Sequence, residues 1–174
     1  MDTIPRHREQ PHQNLRDAFR GFMSTYFTGV AVITSLDEAD RPHGLTCNSL
    51  TSITLSPPTL LICLDQASGT LAALLATRTF AVNLLHDRGK RAAEIFASRD
   101  PDRFRRVPWQ RSAHTGVPLL AEDAYAAAEC EVTDTTVVGD HMVVFGRVVH
   151  VRNDTESPLL YGMREFARQP EPVA

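Results

Sequence analysis

The sequence predicts a mainly β chain, an antiparallel barrel with helices at its periphery. Three observations carry this. Short apolar and β-branched runs recur along the chain, each stopped by Gly, Pro or Asp. They are joined mostly by turns, so the strand–helix–strand alternation of a parallel sheet is absent. Neither G-x-G-x-x-G nor G-x-x-x-x-G-K-[ST] occurs, which argues against a Rossmann or P-loop site.

Taken in order, Leu15, Phe19, Phe22 and Tyr26 recur at spacings of three and four, predicting an amphipathic helix over 15–26. Gly29–Thr34 is a β-branched strand ending at the charged turn Asp37–Pro42. His43–Leu55 reads as one long strand stopped by Pro57-Pro58. Strands follow at Leu60–Leu64 and Phe80–Leu85, with helices at Thr70–Ala76 and Arg88–Ser98. Asp100–Thr115 reads as an irregular, arginine-rich loop. Ala126–Val137 and His141–Val151 are two long strands joined at Gly139-Asp140, a hairpin signal. Leu159–Tyr161 adds a short pairing.

The chain of 174 residues suits one domain, placed at 14–167 between flexible tails at 1–13 and 168–174. Its net charge of −3 exerts no general pull on nucleic acid or an anionic membrane. Neither kind of partner is expected. Three cysteines without a C-x-x-C pair or a signal peptide argue against a disulfide framework. A cytoplasmic protein is expected.

If His43–Leu55 is a strand, its side chains alternate faces. One face then carries Thr46, Asn48, Leu50, Ser52 and Thr54, and the other carries Cys47, Ser49 and Thr51 among apolar residues. So many small polar groups fit either a bound polar heterocycle or a solvated edge. Ser68-Gly69-Thr70 precedes a helix, where Ser68 serves as a cap or, with the helix N-terminus, as a phosphate site. His141 follows the Gly139-Asp140 turn, as a functional imidazole or an exposed turn residue. The arginines between Arg99 and Arg111, with Phe104 and Trp109, are diluted by Asp100 and Asp102. They fit a solvated loop better than a nucleic-acid surface, with a loop that touches a dinucleotide's phosphates or adenine between the two. No H-x-x-x-H, H-E-x-x-H or G-x-S-x-G occurs, so no metal site and no hydrolytic triad is expected.

The chain resembles the short-chain NAD(P)H:flavin oxidoreductases, the reductase components of two-component flavin-dependent monooxygenases. The resemblance runs from about Leu15 to Phe166. It is carried by Thr28-Gly29-Val30-Ala31-Val32-Ile33-Thr34, Pro42-His43-Gly44-Leu45-Thr46-Cys47-Asn48-Ser49 and Phe80-Ala81-Val82-Asn83-Leu84-Leu85. Asp102-Arg103-Phe104, Gly116-Val117-Pro118, Glu129-Cys130 and Gly139-Asp140-His141 complete it. It implies an antiparallel, Greek-key, FMN-binding split β-barrel, commonly a homodimer. It also implies FMN or FAD as flavin and NADH or NADPH as hydride donor.

Carried over residue by residue, the resemblance lays the flavin along Thr46, Cys47, Asn48, Ser49 and Ser52. Its phosphate lies near Ser68 and Thr70, Phe104 and Tyr161 shape the pocket, and His141 meets the nicotinamide. Where relatives often carry an aromatic residue after the serine, this chain has Leu50. The implied activity is hydride transfer to flavin N5, with the reduced flavin passed to a partner monooxygenase. Ferric reductases and oxidases of pyridoxine-like phosphates share the fold. A flavin-binding redox protein without steady turnover is the alternative of a different class.

Overall fold

The structure, a computed structural model, describes residues 10–168. The elements are α1 (Gln10–Ser24), β1 (Thr28–Gly29), β2 (Ala31–Leu36), β3 (Pro42–Cys47), β4 (Leu50–Leu55), β5 (Pro58–Asp65), α2 (Gly69–Thr77) and β6 (Thr79–Leu85). They continue with α3 (Lys90–Ala97), α4 (Arg103–Arg106), β7 (Gln110–Arg111), β8 (Pro118–Leu119), β9 (Ala124–Val138), β10 (His141–Asn153), β11 (Leu159–Gly162) and β12 (Glu165–Arg168). Seven strands form one antiparallel sheet in the order β3-β2-β6-β9-β10-β5-β4. The two edge strands, β3 and β4, are consecutive in the chain, so the sheet's two edges are tied together by the backbone of Asn48 and Ser49. The sheet therefore curls into a barrel split along that seam.

Two cores sit on the two faces of this sheet. Inside, Ala31, Ile33, Ile62, Phe80, Val82 and Val144 meet Leu71 and Leu74 of α2. Outside, Val30, Val32, Leu85 and Leu120 meet Ala92, Ala93, Ile95 and Phe96 of α3. This double cover explains why every residue of β2 is buried, as expected for a strand with both faces covered. Ser68 caps α2, its Oγ accepting from the N–H groups of Thr70 at 3.2 Å and Leu71 at 3.4 Å. Arg78 ends the helix in the left-handed region, φ 61°. The β9–β10 hairpin turns at Gly139, φ 61°, a conformation that favours glycine.

Several expectations change. Residues 43–55 are not one strand: the chain breaks at Asn48-Ser49, because the Ser49 carbonyl accepts from Cys63 N–H at 3.3 Å as the segment crosses to the opposite sheet edge. The expected alternation of faces therefore does not run past Cys47. The first helix spans Gln10–Ser24, beginning inside the stretch read as tail. The remainder of that tail, residues 1–9, and residues 169–174 lie outside the described residues. The arginine-rich loop contains the short α4 and the β7–β8 pair, and β12 follows a turn at Met163-Arg164.

Candidate active site

A cleft of about 600 Å³ opens at the seam. The end of β3 supplies Thr46, Cys47 and Asn48, and the start of α2 supplies Ser68. The hairpin supplies His141, and the loop after α3 supplies Arg99 and Arg103. Thr46 Oγ1 donates to the Ala93 carbonyl at 2.6 Å, pinning α3 to β3. Arg103 Nη1 donates to the Gly44 carbonyl at 2.8 Å from the other side. Helix and strand can approach closely because residue 44 is glycine: a Cβ there would come within 2.8 Å of the Phe96 ring.

The polar groups that remain uncommitted define what the cleft can hold. Ser68 Oγ accepts two N–H bonds and keeps its own proton to donate. It sits at the N-terminus of a nine-residue helix, where an anion is favoured. Asn48 is exposed, and among the described residues its amide makes no hydrogen bond. Arg99 likewise has no ion-pair partner among them. Ser49 is partly committed: its Oγ donates to the Cys63 carbonyl at 2.9 Å and lies 3.3 Å from Cys47 Sγ. Burial pushes the Cys47 thiol up from its ordinary range, and pushes Cys130 up to about 12. Neither is primed as a nucleophile.

His141 stands at the cleft mouth with Nδ1 2.7 Å from Asp140 Oδ1. This bond is the main cause holding the Asp140 carboxyl below the usual carboxylate range. The turn itself is braced by Gln66, whose Nε2 donates to the Gly139 carbonyl at 2.9 Å and whose N–H donates to the Asp140 carbonyl at 3.0 Å. A second, mainly apolar cavity of about 430 Å³ adjoins the cleft across Thr46, Cys47 and Asn48. It is lined by Tyr161 and Phe166, whose rings meet edge to face at 5.3 Å.

The structure thus brings together Thr46, Cys47, Asn48, Ser49, Ser68 and His141, with Tyr161 next door. Three candidates stand apart. Ser52 lies on the exposed β4, opposite Leu60, and lines none of these cavities. Thr70 is buried in the first turn of α2, where its N–H meets Ser68. Phe104 packs edge-on against Phe96 at 5.0 Å and Trp109 at 5.7 Å, and borders a different cavity beside His43 and Pro101. Conversely, Gln66 is not among the sequence candidates, and Arg99 and Arg103 enter there only as part of an arginine-rich stretch without individual roles. The cluster 99–111 divides: Arg105 and Arg106 pair with Asp102 and Asp100 at the surface, while Arg99 and Arg103 line the cleft. No periodicity marks that division.

Comparison with known proteins gives the chain a family. The sequence profile described as "Flavin reductase like domain" matches residues 23–169. The chain belongs to the flavin reductase family. Among relatives of this flavin reductase, the "Flavin reductase (NADPH)" of Lentzea aerocolonigenes is 57% identical, covering 95% of this chain and 96% of its own. The "Flavin reductase (NADH)" of Kitasatospora aureofaciens is 41% identical over 88% of this chain and 82% of its own. Among solved structures, the Streptomyces globisporus NADH:FAD oxidoreductase SgcE6, in complex with NAD and FAD fragments, superposes with TM-score 0.85 at 30% identity, covering 100% of both chains. BorF, the flavin reductase component of a bacterial two-component tryptophan halogenase, superposes with TM-score 0.81 at 33% identity, over 90% of this chain and 99% of its own. The antiparallel barrel expected from the sequence, and the split form implied by the resemblance, is the fold observed.

The donor set also suits a flavin. An acyclic polyol and a phosphate or pyrophosphate need small neutral donors, a helix N-terminus and a guanidinium. Asn48, Ser68 and Arg99 offer these within one cleft. Among the described residues no group of His, Cys, Asp or Glu is arranged to hold a metal ion.

Proposed function

We propose that this protein oxidises NADPH or NADH by passing hydride to FMN or FAD, and releases the reduced flavin to a flavin-dependent monooxygenase. The observation that carries this reading is the convergence on one cleft of an uncommitted phosphate-type donor set and the Asp140–His141 pair. Flavin supplies the hydride-accepting N5; the chain's residues bind and orient. Asn48 and Ser49 take the polar chain or ring edge, Ser68 and Arg99 take the phosphate end, and Tyr161 closes the apolar side. Steady-state NAD(P)H oxidation with FMN and FAD tests the reading. A flavin-binding protein without turnover would bind flavin but oxidise no reduced nucleotide.

His141 acts by positioning. The ionised Asp140 accepts from Nδ1–H, so neutral His141 presents Nε2 as an acceptor to the nicotinamide carboxamide. The bond thus runs from carboxamide to imidazole, because the ring's own N–H is already engaged. His141→Ala is expected to raise KM for the nucleotide or slow hydride transfer about tenfold, equivalent to about 1.4 kcal/mol, with flavin affinity nearly unchanged. Stopped-flow reduction of bound flavin measures it; native rate and native nucleotide affinity would return His141 to an exposed turn residue.

The proposal includes a symmetric homodimer. Phe19 is 61% exposed, Phe22 69% and Leu55 82%, and they belong to an apolar set on α1 and β4 that a single chain leaves in water. Such a surface marks an association site. Sedimentation at micromolar concentration should give a dimer, and Phe22→Glu should shift it toward monomer; a monomeric, fully active wild type would end this part of the reading. The partner monooxygenase is suggested by relatives such as HsaB of Mycobacterium tuberculosis, "Flavin-dependent monooxygenase, reductase subunit", 35% identical over 75% of this chain and 68% of its own. A cytoplasmic location belongs to the same proposal. It agrees with three free cysteines, and no described helix is long and apolar enough to cross a membrane.

A further inference from the structure

Thr28 carries a hydroxyl that the fold does not use. Its Oγ1 is buried and, among the described residues, has no hydrogen-bond partner. Two other buried side-chain atoms of the described residues are without hydrogen bonds, Asp87 Oδ1 and Arg152 Nε, but each lies within an ion pair, to Arg88 at 3.7 Å and to Asp154 at 3.6 Å. Thr28 has no such charge beside it. A buried polar atom left unpaired destabilises a fold. Its retention points to a partner that arrives from outside.

Local structure holds Thr28 firmly in place. Its backbone is laddered to Tyr161 through β1 and β11. The preceding Phe27 ring rests on Gly162, where a Cβ would come within 2.5 Å of it. The residue lines a cavity of about 610 Å³ whose apolar wall includes Tyr26 and Phe27. Asn48 and Ser49 line this cavity too, and both also line the Ser68 cleft. The two spaces therefore adjoin at the seam. Polar groups (Thr28, Asn48, Ser49, Thr51) and apolar ones (Met23, Tyr26, Phe27, Leu50) share the wall about equally, a lining that suits a planar heterocycle with polar edges.

We propose that the Thr28 hydroxyl is a hydrogen-bond partner for the ring edge of the flavin, which reaches this cavity from the Ser68 cleft past Asn48. The inference rests on the flavin reductase reading. A threonine hydroxyl can donate to a ring carbonyl or accept from a ring N–H, and either bond would satisfy an atom that the chain's described residues leave unpaired.

The test uses Thr28→Val, nearly the same shape without the hydroxyl, and Thr28→Ser, which keeps it. FMN is titrated by fluorescence in the absence of nucleotide, thermal unfolding is followed without flavin, and self-association is followed by sedimentation. Thr28→Val is expected to weaken FMN binding about five- to tenfold, the loss of one hydrogen bond. Its flavin-free Tm should hold or rise, and its self-association should not change. Thr28→Ser should stay within about twofold of wild type in FMN affinity. Unchanged FMN affinity in Thr28→Val overturns the proposal. So does a lower flavin-free Tm, which would give the hydroxyl a partner within the fold, and so does weakened self-association, which would give it a partner in the second copy. Failure of the wild type to bind FMN would bring down the flavin reading itself, and would be seen before any substitution is compared.

Discussion

Replacing Phe80 with alanine is expected to lower the free energy of unfolding by about 3–5 kcal/mol, the range for truncating a buried aromatic. Phe80 is fully buried in the inner core and lies opposite Cys130 in the β6–β9 ladder. Its ring extends on to β10, where residue 146 is glycine: a Cβ there would approach Phe80 Cζ to 2.5 Å. The ring thus fills space on three neighbouring strands, and little around it can collapse into the void. The same geometry makes Gly146→Ala costly by overpacking, about 1–3 kcal/mol. Combining Gly146→Ala with Phe80→Leu should cost less than the sum, since the smaller side chain vacates the space the new methyl needs. Urea unfolding of flavin-free protein at fixed concentration measures all four variants, Phe80→Leu alone included. Strict additivity would show that Phe80 and residue 146 do not share that space.

Asn83→Leu should cost about 3 kcal/mol, because it strands more than one buried backbone group. Asn83 is fully buried in β6. Its Nδ2 donates to the Val32 carbonyl and to Thr34 Oγ1, each at 3.0 Å, and its Oδ1 accepts from Leu120 N–H at 2.9 Å. Thr34 Oγ1 passes its own proton to the Pro118 carbonyl. The amide therefore joins β2, β6 and the segment after β8 in one satisfied network, and partial loss of such a network is worse than its absence. Leucine approximates the volume and leaves Leu120 N–H without its acceptor. Urea unfolding again measures the loss, and a change under about 0.5 kcal/mol would show that the segment relaxes to find other partners.

These two residues also mark what can be read from sequence. Strand β6 was legible as a strand from Phe80–Leu85, but the fitting of Phe80 against Gly146 is a contact between distant residues. The β9–β10 hairpin was legible because its signal is local: Gly139 allows the left-handed turn and the flanking runs are long. The seam was not. Residues 43–55 read as one strand by alternation, and what divides them is a change of partner: Cys47 still pairs with Ala31 of β2, whereas Ser49 already bonds to Cys63 of β5. Strand β12 was hidden because the positive-φ turn residues are Met163 and Arg164, 52° and 65°, neither a glycine, while Gly162 just before them still pairs in β11. In the site, Ser68 was readable as a cap, but whether Thr70 faced ligand or core depended on how α2 docks. Arg103 reaches Gly44 across a separation of 59 residues, which no local pattern encodes.

The seam between β3 and β4 has a dynamic consequence. Among the described residues no ladder joins these strands to each other; β3 pairs with β2, and β4 with β5. Widening the barrel there breaks no rung of the sheet, whereas widening it elsewhere would unzip one. Low-energy breathing should therefore concentrate where Asn48 and Ser49 sit, leaving the walls rigid. A molecule as large as a flavin can thus enter and leave along a line where the cylinder gives without unfolding.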